Sequence, residues 1–293
     1  MARIYVGTSG FSYGFWHDSF YPLGVSKSKA LEYYCDVFNM VEINGTFYRT
    51  PQDPTWIRWR RLANRPTPFQ YAIKANRYFT HMRRLRADED FVTRWKDFYR
   101  KCTLLGEHLG PVIFQLPPSV VFVEESRNAN EVDEERLIQL GEALRRASPN
   151  GRFAFEFRHS SFYRPAVYGV CKRYDWCFAT IHVANDSGWS GDLEDGFHPQ
   201  KPVETASWGV YWRFHGATGQ YVGNYGAELP LVISKWIPSD PGKTVYVAFN
   251  NTDDKAEDGL PSAVSDALLL RDAPLFKKTA HDARLAEMEF IQD

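Results

Sequence analysis

The sequence predicts an α/β protein folded as a single (β/α)8 TIM-type barrel, irregular around its sixth strand. Three observations predict it. Eight short apolar runs alternate with longer amphipathic stretches. Most of these runs keep one face apolar while the other turns polar towards the C-terminal end, where barrel enzymes hold their chemistry. The chain is 293 residues long, shows no break in composition, and so suits one large domain.

The predicted strands are IYVGTS (4–9), MVEIN (40–44), FQYAIKAN (69–76), PVIFQL (111–116), RFAFEFR (152–158), WCFATIH (176–182), WGVYWRFH (208–215) and TVYVAFN (244–250). A helix is expected at 27–38, capped by Ser26, and another at 52–62, carrying Trp56 and Trp59. A long helix is expected at 88–106, where Phe91, Trp95, Phe98 and Leu105 fall near helical spacing. Further helices are expected at 133–147, 163–174 and 259–270. No clear helix is legible after the sixth strand. Residues 183–207 read instead as a Gly/Asp/Pro-rich loop, and loops of that length are usually functional or mobile. The barrel is expected over 1–271, with 272–293 a charged, amphipathic helix packed on its outside.

Bulk properties exclude some classes. Hydrophobic residues make up 44% and aromatics 16%, enough for a large aromatic-rich core. The net charge of -1 gives no global basic field for nucleic acid or anionic membrane, though it leaves local patches open. Cys35, Cys102, Cys171 and Cys177 have no CxxC spacing and read as reduced, buried thiols of a cytoplasmic protein. No apolar segment reaches the ~20 residues of a membrane span, and MARIYVGTSG at the N-terminus runs directly into a strand pattern.

Residues i and i+2 of a strand share a face. One set is apolar throughout: Val41/Ile43, Tyr71/Ile73/Ala75, Val112/Phe114/Leu116, Phe153/Phe155/Phe157 and Val210/Trp212/Phe214. It is expected to face the helices. The other set, expected to face the axis, becomes polar: Ser9, Glu42/Asn44, Lys74/Asn76, Gln115, Glu156/Arg158, Arg213/His215 and Asn250. So many ionisable groups in one interior are costly without a use. In VEINGTFYRTP (41–51), Gly45 is expected to allow a sharp turn that puts Phe47, Tyr48 and Arg49 on the rim.

Several stretches, in this order, resemble the uncharacterised YecE-like family (domain of unknown function 72). They are VGTSGFSY with Trp16 and FYP (20–22), LEYY (31–34), VEINGTFYRTP, FQYAIKANRYFTH, LGPVIFQLPP (109–118), FEFRHSSF (155–162), YWRFHG (211–216) and AFNNT (248–252). The resemblance covers nearly the whole chain and implies a TIM barrel without implying a reaction. The chain departs from the family pattern in three places. Gly45 stands where serine is usual, Phe162 where tryptophan is frequent, and His182 followed by Asp186 where strand six commonly ends in an acid.

The mouth so predicted is a receptor for an anion. Lys74, Arg158 and Arg213 supply charge, Arg77 adds a fourth cation, and Ser9, Asn44, Tyr48, Asn76, Gln115, Asn250 and Asn251 supply neutral hydrogen bonds. Glu42 or Glu156 is the expected general base, with His159 or His215 as proton donor. The expected partner is an anionic small molecule or a nucleic acid, with no cofactor and no metal. Ligand types for a metal-dependent phosphodiesterase of the endonuclease IV type exist in Glu42, Glu156, His159, His182 and His215. Lys74 and Arg213 at the same level oppose a dication. A retaining glycosidase needs carboxyls ~5 Å apart, which strands two and five are not expected to provide. A non-enzymatic nucleic-acid-binding module is a third reading, from the basic, aromatic stretches RWRRLANR (58–65) and RYFTHMRRLR (77–86), with Phe47, Tyr48, Phe79 and Trp189 as stacking groups.

Overall fold

The computed structural model describes residues 2–184 and 188–274. Eight parallel strands form the barrel: β1 (Arg3–Ser9), β2 (Met40–Ile43), β3 (Gln70–Lys74), β4 (Leu109–Gln115), β5 (Phe153–Glu156), β6 in two segments (Cys177–Phe178 and Thr180–Val183), β7 (Gly209–Phe214) and β8 (Thr244–Phe249). Each pairs with its chain neighbour, and β8 returns to β1. Closure depends on β6. Its first segment pairs with β5 and its second with β7, and Ala179 between them donates its N–H to Phe155 O at 2.9 Å. One strand thus bends across the seam and removes the open edges.

The alternation read from the sequence is present in space. Val41, Ile43, Tyr71, Ile73, Val112, Phe114, Phe153, Phe155, Val210, Trp212 and Phe214 lie in the large core between strands and helices. A second, smaller core fills the barrel itself, with Tyr5, Met40, Ala72, Ile113, Ala154, Cys177, Tyr211, Tyr246 and Ala248. The N-terminal end of the barrel is plugged by aromatics. Tyr5 and Tyr211 both stack on Tyr246, whose hydroxyl donates to Gln70 Oε1 at 2.6 Å. Large residues close the lower barrel, so polar groups collect at the other end.

The main α-helices among the described residues are α1 (Ala30–Val37), α2 (Asp53–Ala63), α3 (Glu89–Thr103), α4 (Glu134–Ala147), α5 (Pro165–Arg173), α6 (Leu229–Ser234) and α7 (Ser262–Asp272). Asp88 and Asp133 cap α3 and α4, accepting from Phe91 N at 3.0 Å and Arg136 N at 2.8 Å. Ser26 does not cap α1. The helix starts three residues later than expected, with Lys29 at its N-cap, and Ser26 Oγ bonds Ser28 Oγ at 2.9 Å.

After β6 the expected loop folds back. Gly196–His198 pairs antiparallel with β6, and Phe197 packs against His182, Phe214 and Trp236. This aromatic hairpin covers the strand where the regular pattern would place a helix. All four cysteines are buried free thiols. No described helix is long and apolar enough to cross a membrane. Asp186 and most of the helix expected at 272–293, from residue 275 on, lie outside the described residues.

Candidate functional site at the C-terminal barrel mouth

The last inward residues of β1, β2, β4, β5 and β7 meet on the barrel axis, and Arg213 holds them together. Its Nη2 donates to Glu42 Oε1 at 2.6 Å and its Nε to Glu42 Oε2 at 3.0 Å, a bidentate clasp. Its Nη1 donates to Glu156 Oε2 and, at 3.2 Å, to Gln115 Oε1. Nη2 also reaches Ser9 Oγ at 3.2 Å. The remaining lone pairs of Glu42 are taken by the Ser9 hydroxyl and by Tyr211 OH at 2.9 Å. Arg158 Nε donates to Glu156 Oε1 at 2.7 Å. Glu42 and Glu156 are 0% exposed and Arg213 is 1% exposed.

The electrostatics follow from burial and pairing. Burial pushes both carboxyls up. For Glu42 the Arg213 charge, the Ser9 hydroxyl and the Lys74 charge together bring it below the usual range. For Glu156, Arg213, Arg158 and His215 bring it well below. Arg213 is held up by the two carboxylates against its own burial. Both carboxylates are therefore fixed anions inside a hydrogen-bonded plug.

Lys74 differs. Its side chain is half-buried, and Nζ lies 4.6 Å from the centre of the Phe47 ring. Among the described residues Nζ has no hydrogen bond and no ion pair. Burial, then the Arg213 charge, lower the amine to about 7, with Arg158 adding to the effect and Glu42 opposing it. Arg158 uses only Nε on Glu156. Its guanidinium lies over the Trp189 ring at 4.6 Å, and its two outer nitrogens have no carboxylate among the described residues. His215 is buried beside Glu156 at 3.4 Å, takes a 2.9 Å hydrogen bond with Asn250 at Nδ1, and is lowered by burial to about 4. Among the described residues its Nε2 makes no hydrogen bond.

The other predicted residues divide. Asn44 joins the plug through Nδ2 to Ser9 Oγ at 2.9 Å, and its buried Oδ1 has no hydrogen bond among the described residues. It also lines a cleft of about 430 Å³ between the turns after β1 and β2, with Phe11, Tyr13, Arg49 and Trp59. Asn76 is occupied locally, donating to Thr46 O at 3.0 Å and accepting from Tyr78 N at 3.0 Å. Arg77 and Tyr48 are exposed at the rim. Asn251 points away from the mouth. Its Nδ2 donates to Gly223 O at 2.8 Å and to Asp266 Oδ2 at 2.7 Å. His159 turns from the axis to cap the turn Ser160–Phe162, accepting from Ser161 N at 3.1 Å. His182 is enclosed with Tyr225, whose hydroxyl it bonds at 2.9 Å. Trp189 is already packed on Arg158 and His215.

The turn after β2 also differs from expectation. Gly45 opens a short helical turn, Gly45–Tyr48, without a left-handed φ, and a Cβ there would meet nothing within 4 Å. Serine would fit equally well. Thr46 makes the anchorage instead, donating to Ile43 O at 2.9 Å and Lys74 O at 2.7 Å.

Two groups went unseen in the sequence. Tyr211, one of the Glu42 partners, lies on the inward face two residues before Arg213, a position that the period of two marks. His81 lies in a π-helical turn, Tyr78–Met82, and its ring packs on Phe47 at 4.8 Å. Burial, then Lys74, Arg158, Arg77 and Arg84, lower it to about 4. Arg84 and Leu85 follow with φ of 46° and 66°, an uncommon conformation for side chains of this size. His81 thus brings part of the basic stretch 77–86 to the mouth, whereas Arg83 pairs with Asp88 and Leu85 enters the core. In 58–65, Arg58 and Arg65 donate to carbonyls and Arg60 and Arg65 pair with Glu107 and Asp36, away from it.

A family model described as "Protein of unknown function DUF72" matches residues 5–279, and the chain belongs to that family. The UPF0759 protein YunF of Bacillus subtilis (strain 168) is 25% identical over 227 residues, 74% of this chain and 71% of that protein. The UPF0759 protein YecE of Escherichia coli (strain K12) is 31% identical over 114 residues, 39% of this chain and 38% of that one. The crystal structure of a DUF72 family protein from Thermotoga maritima MSB8 superposes with a TM-score of 0.66 at 26% identity, covering 95% of this chain and 99% of that one.

Proposed function

We propose that this DUF72 barrel is an enzyme that binds an anionic, phosphate-bearing or nucleic-acid-like substrate at the C-terminal mouth, without a catalytic metal. One observation carries the reading. Arg213 and Arg158 between them neutralise Glu42 and Glu156, so Lys74 is a cation in excess. Three cations at the mouth, Lys74, Arg158 and Arg213, face two carboxylates, leaving a formal +1 when Lys74 is protonated. The outer nitrogens of Arg158 and the Lys74 amine are the groups left to meet an anion, with Arg77 at the rim. The cleft beside Asn44 is apolar enough to take an organic portion.

The placement of Arg213 also favours the metal-free reading over a phosphodiesterase of the endonuclease IV type. Its guanidinium occupies the space between Glu42 and Glu156, where a dication would have to sit. Among the described residues no three His, Cys, Asp or Glu side chains converge with metal-ligand geometry. Within this reading His215, 3.4 Å from Glu156, is the proton-transfer candidate. Glu42 and Glu156, held as anions, serve as electrostatic supports. His159 has no route to the plug through its observed contacts.

The test is thermal unfolding with increasing phosphate, sulfate and mononucleotides at constant ionic strength, for the native chain and Arg158→Lys. Stabilisation of the native chain by phosphate-bearing ligands, weakened several-fold in the variant, is expected. Identical curves with chloride and phosphate would defeat the reading. Stabilisation by Mn²⁺ or Zn²⁺ alone would favour the metal-dependent alternative.

A further inference from the structure

We propose that Lys74 is a nucleophilic amine that captures the carbonyl carbon of an anionic aldehyde or ketone as a Schiff base. This deepens the anion-binding reading of the same mouth and rests on it. Lys74 is the last residue of β3, on the inward face, where side chains of a barrel reach bound substrate. Its amine lies over the Phe47 ring and makes no hydrogen bond or ion pair among the described residues. The carboxylate that would ordinarily hold it, Glu42, is clasped by Arg213 and hydrogen-bonded by Ser9 and Tyr211.

A structural lysine in such a place would be expected to find a carboxylate, because an unpaired ammonium is costly to desolvate. A nucleophilic lysine needs the opposite. It must lose its proton near neutrality, and burial together with the neighbouring cations does this, against the Phe47 ring face, which favours the ammonium. The groups acting on Lys74 are Arg213, Arg158, Glu42 and Glu156, and burial with the two arginines outweighs the carboxylates, giving an amine that titrates at about 7.

The step balances without a further reactant. The Nζ lone pair forms a bond to the carbonyl carbon, and the carbonyl π pair moves to oxygen, which takes the proton lost by nitrogen. The resulting hydroxyl accepts one proton from solvent and leaves as water, while the nitrogen lone pair forms the C=N bond of a protonated imine. The anionic group of the substrate meets Arg158 and the carbonyl meets Lys74.

The test is reductive trapping with sodium cyanoborohydride, using glycolaldehyde phosphate and, in parallel, glycolaldehyde, followed by peptide mapping. At pH 7 about half of Lys74 is unprotonated, against well under 1% of an ordinary lysine. One adduct at Lys74 is expected, formed about tenfold or more faster than at any other lysine, with a rate that rises between pH 6 and 8. Glycolaldehyde phosphate is expected to react faster than glycolaldehyde. Label spread over surface lysines without preference for Lys74 would overturn the proposal. If phosphate stabilises the protein and Lys74 is still not labelled, the Schiff base falls and anion binding stands. If both aldehydes label Lys74 equally fast, the nucleophile stands and the anion site falls. Lys74→Arg is expected to lose the adduct, and the map of the native chain decides the matter by itself should that variant not fold.

Discussion

Replacing Arg213 with methionine tests the plug directly. The side chain is 1% exposed and lies between two carboxylates that are 0% exposed. Methionine keeps much of the stem's packing but removes the charge and five hydrogen bonds, to Glu42 twice, Glu156, Gln115 and Ser9. Breaking one buried ion pair costs about 3–5 kcal/mol. The two carboxylates share one cation, and Arg158 still holds Glu156, so the losses do not simply add. A loss of about 5 kcal/mol at pH 7 is expected, comparable with the lower end of total domain stability, ~5–15 kcal/mol. For a chain of 293 residues this lowers Tm by about 8 °C.

The pH dependence gives this prediction its edge. In the native chain both carboxyls are lowered by pairing, so their contribution is present above the unfolded glutamate value of about 4.3 and is lost as pH falls through the folded values. In Arg213→Met only the Ser9 hydroxyl, Tyr211 and Lys74 are left to oppose burial at Glu42, and its carboxyl rises. The variant then carries a penalty above about pH 4.3 that grows with pH until the raised folded value is passed. The gap between the two proteins should shrink steadily from pH 7 to pH 4. Thermal or urea unfolding across that range measures it. A gap of equal size at both ends, or no loss at pH 7, would refute the electrostatic account of the plug.

Three further outcomes are expected. Lys74→Met should stabilise the protein by about 2 kcal/mol at pH 7, read by urea unfolding. The lowered amine is a penalty in full below pH 7 that fades towards pH 10, so the gain should fade over the same interval. Asp266→Ala should cost about 3 kcal/mol in the same assay, because Asp266 accepts from Asn224 Nδ2, Tyr225 N, Gly226 N and Asn251 Nδ2 and pins the loop after β7 to α7. Gly7→Ala should lower Tm and soluble yield sharply, with a cost of about 3 kcal/mol or more, because a Cβ at Gly7 would overlap the Met40 carbonyl oxygen where β1 meets β2.

The strand alternation was legible because a period of two is a geometric property of the backbone and survives any choice of side-chain rotamer. It placed Ser9, Glu42, Lys74, Gln115, Glu156, Arg213 and Asn250 on the inward side, where they lie. It stopped being informative where strands end. His159 follows Arg158 by one residue, beyond the end of β5, and belongs to a turn. Asn251 is offset by one from Asn250 and faces Asp266, so the same alternation already argued against it. His81 gave no periodic signal because it sits in a π-helical turn. The bend at Ala179 that closes the barrel was likewise invisible, since Cys177–Phe178 and Thr180–Val183 read as one uninterrupted run.

Which cation meets which carboxylate was not legible at all. Arg213 reaches Glu42 across 171 residues and Glu156 across 57, and only a long side chain on the axis can serve both. That one choice decides the character of the site. Had Glu42 paired with Lys74, as its neighbour on the adjacent strand, the lysine would be a charged structural partner and Arg213 the free cation. Arg213, with five donors in a rigid fork, is the better match for two carboxylates, and it leaves the flexible, readily deprotonated amine without an ion pair among the described residues. The more weakly held cation is thus the one whose pKa burial can move, so the pairing that stabilises the barrel interior also produces a reactive group at its mouth.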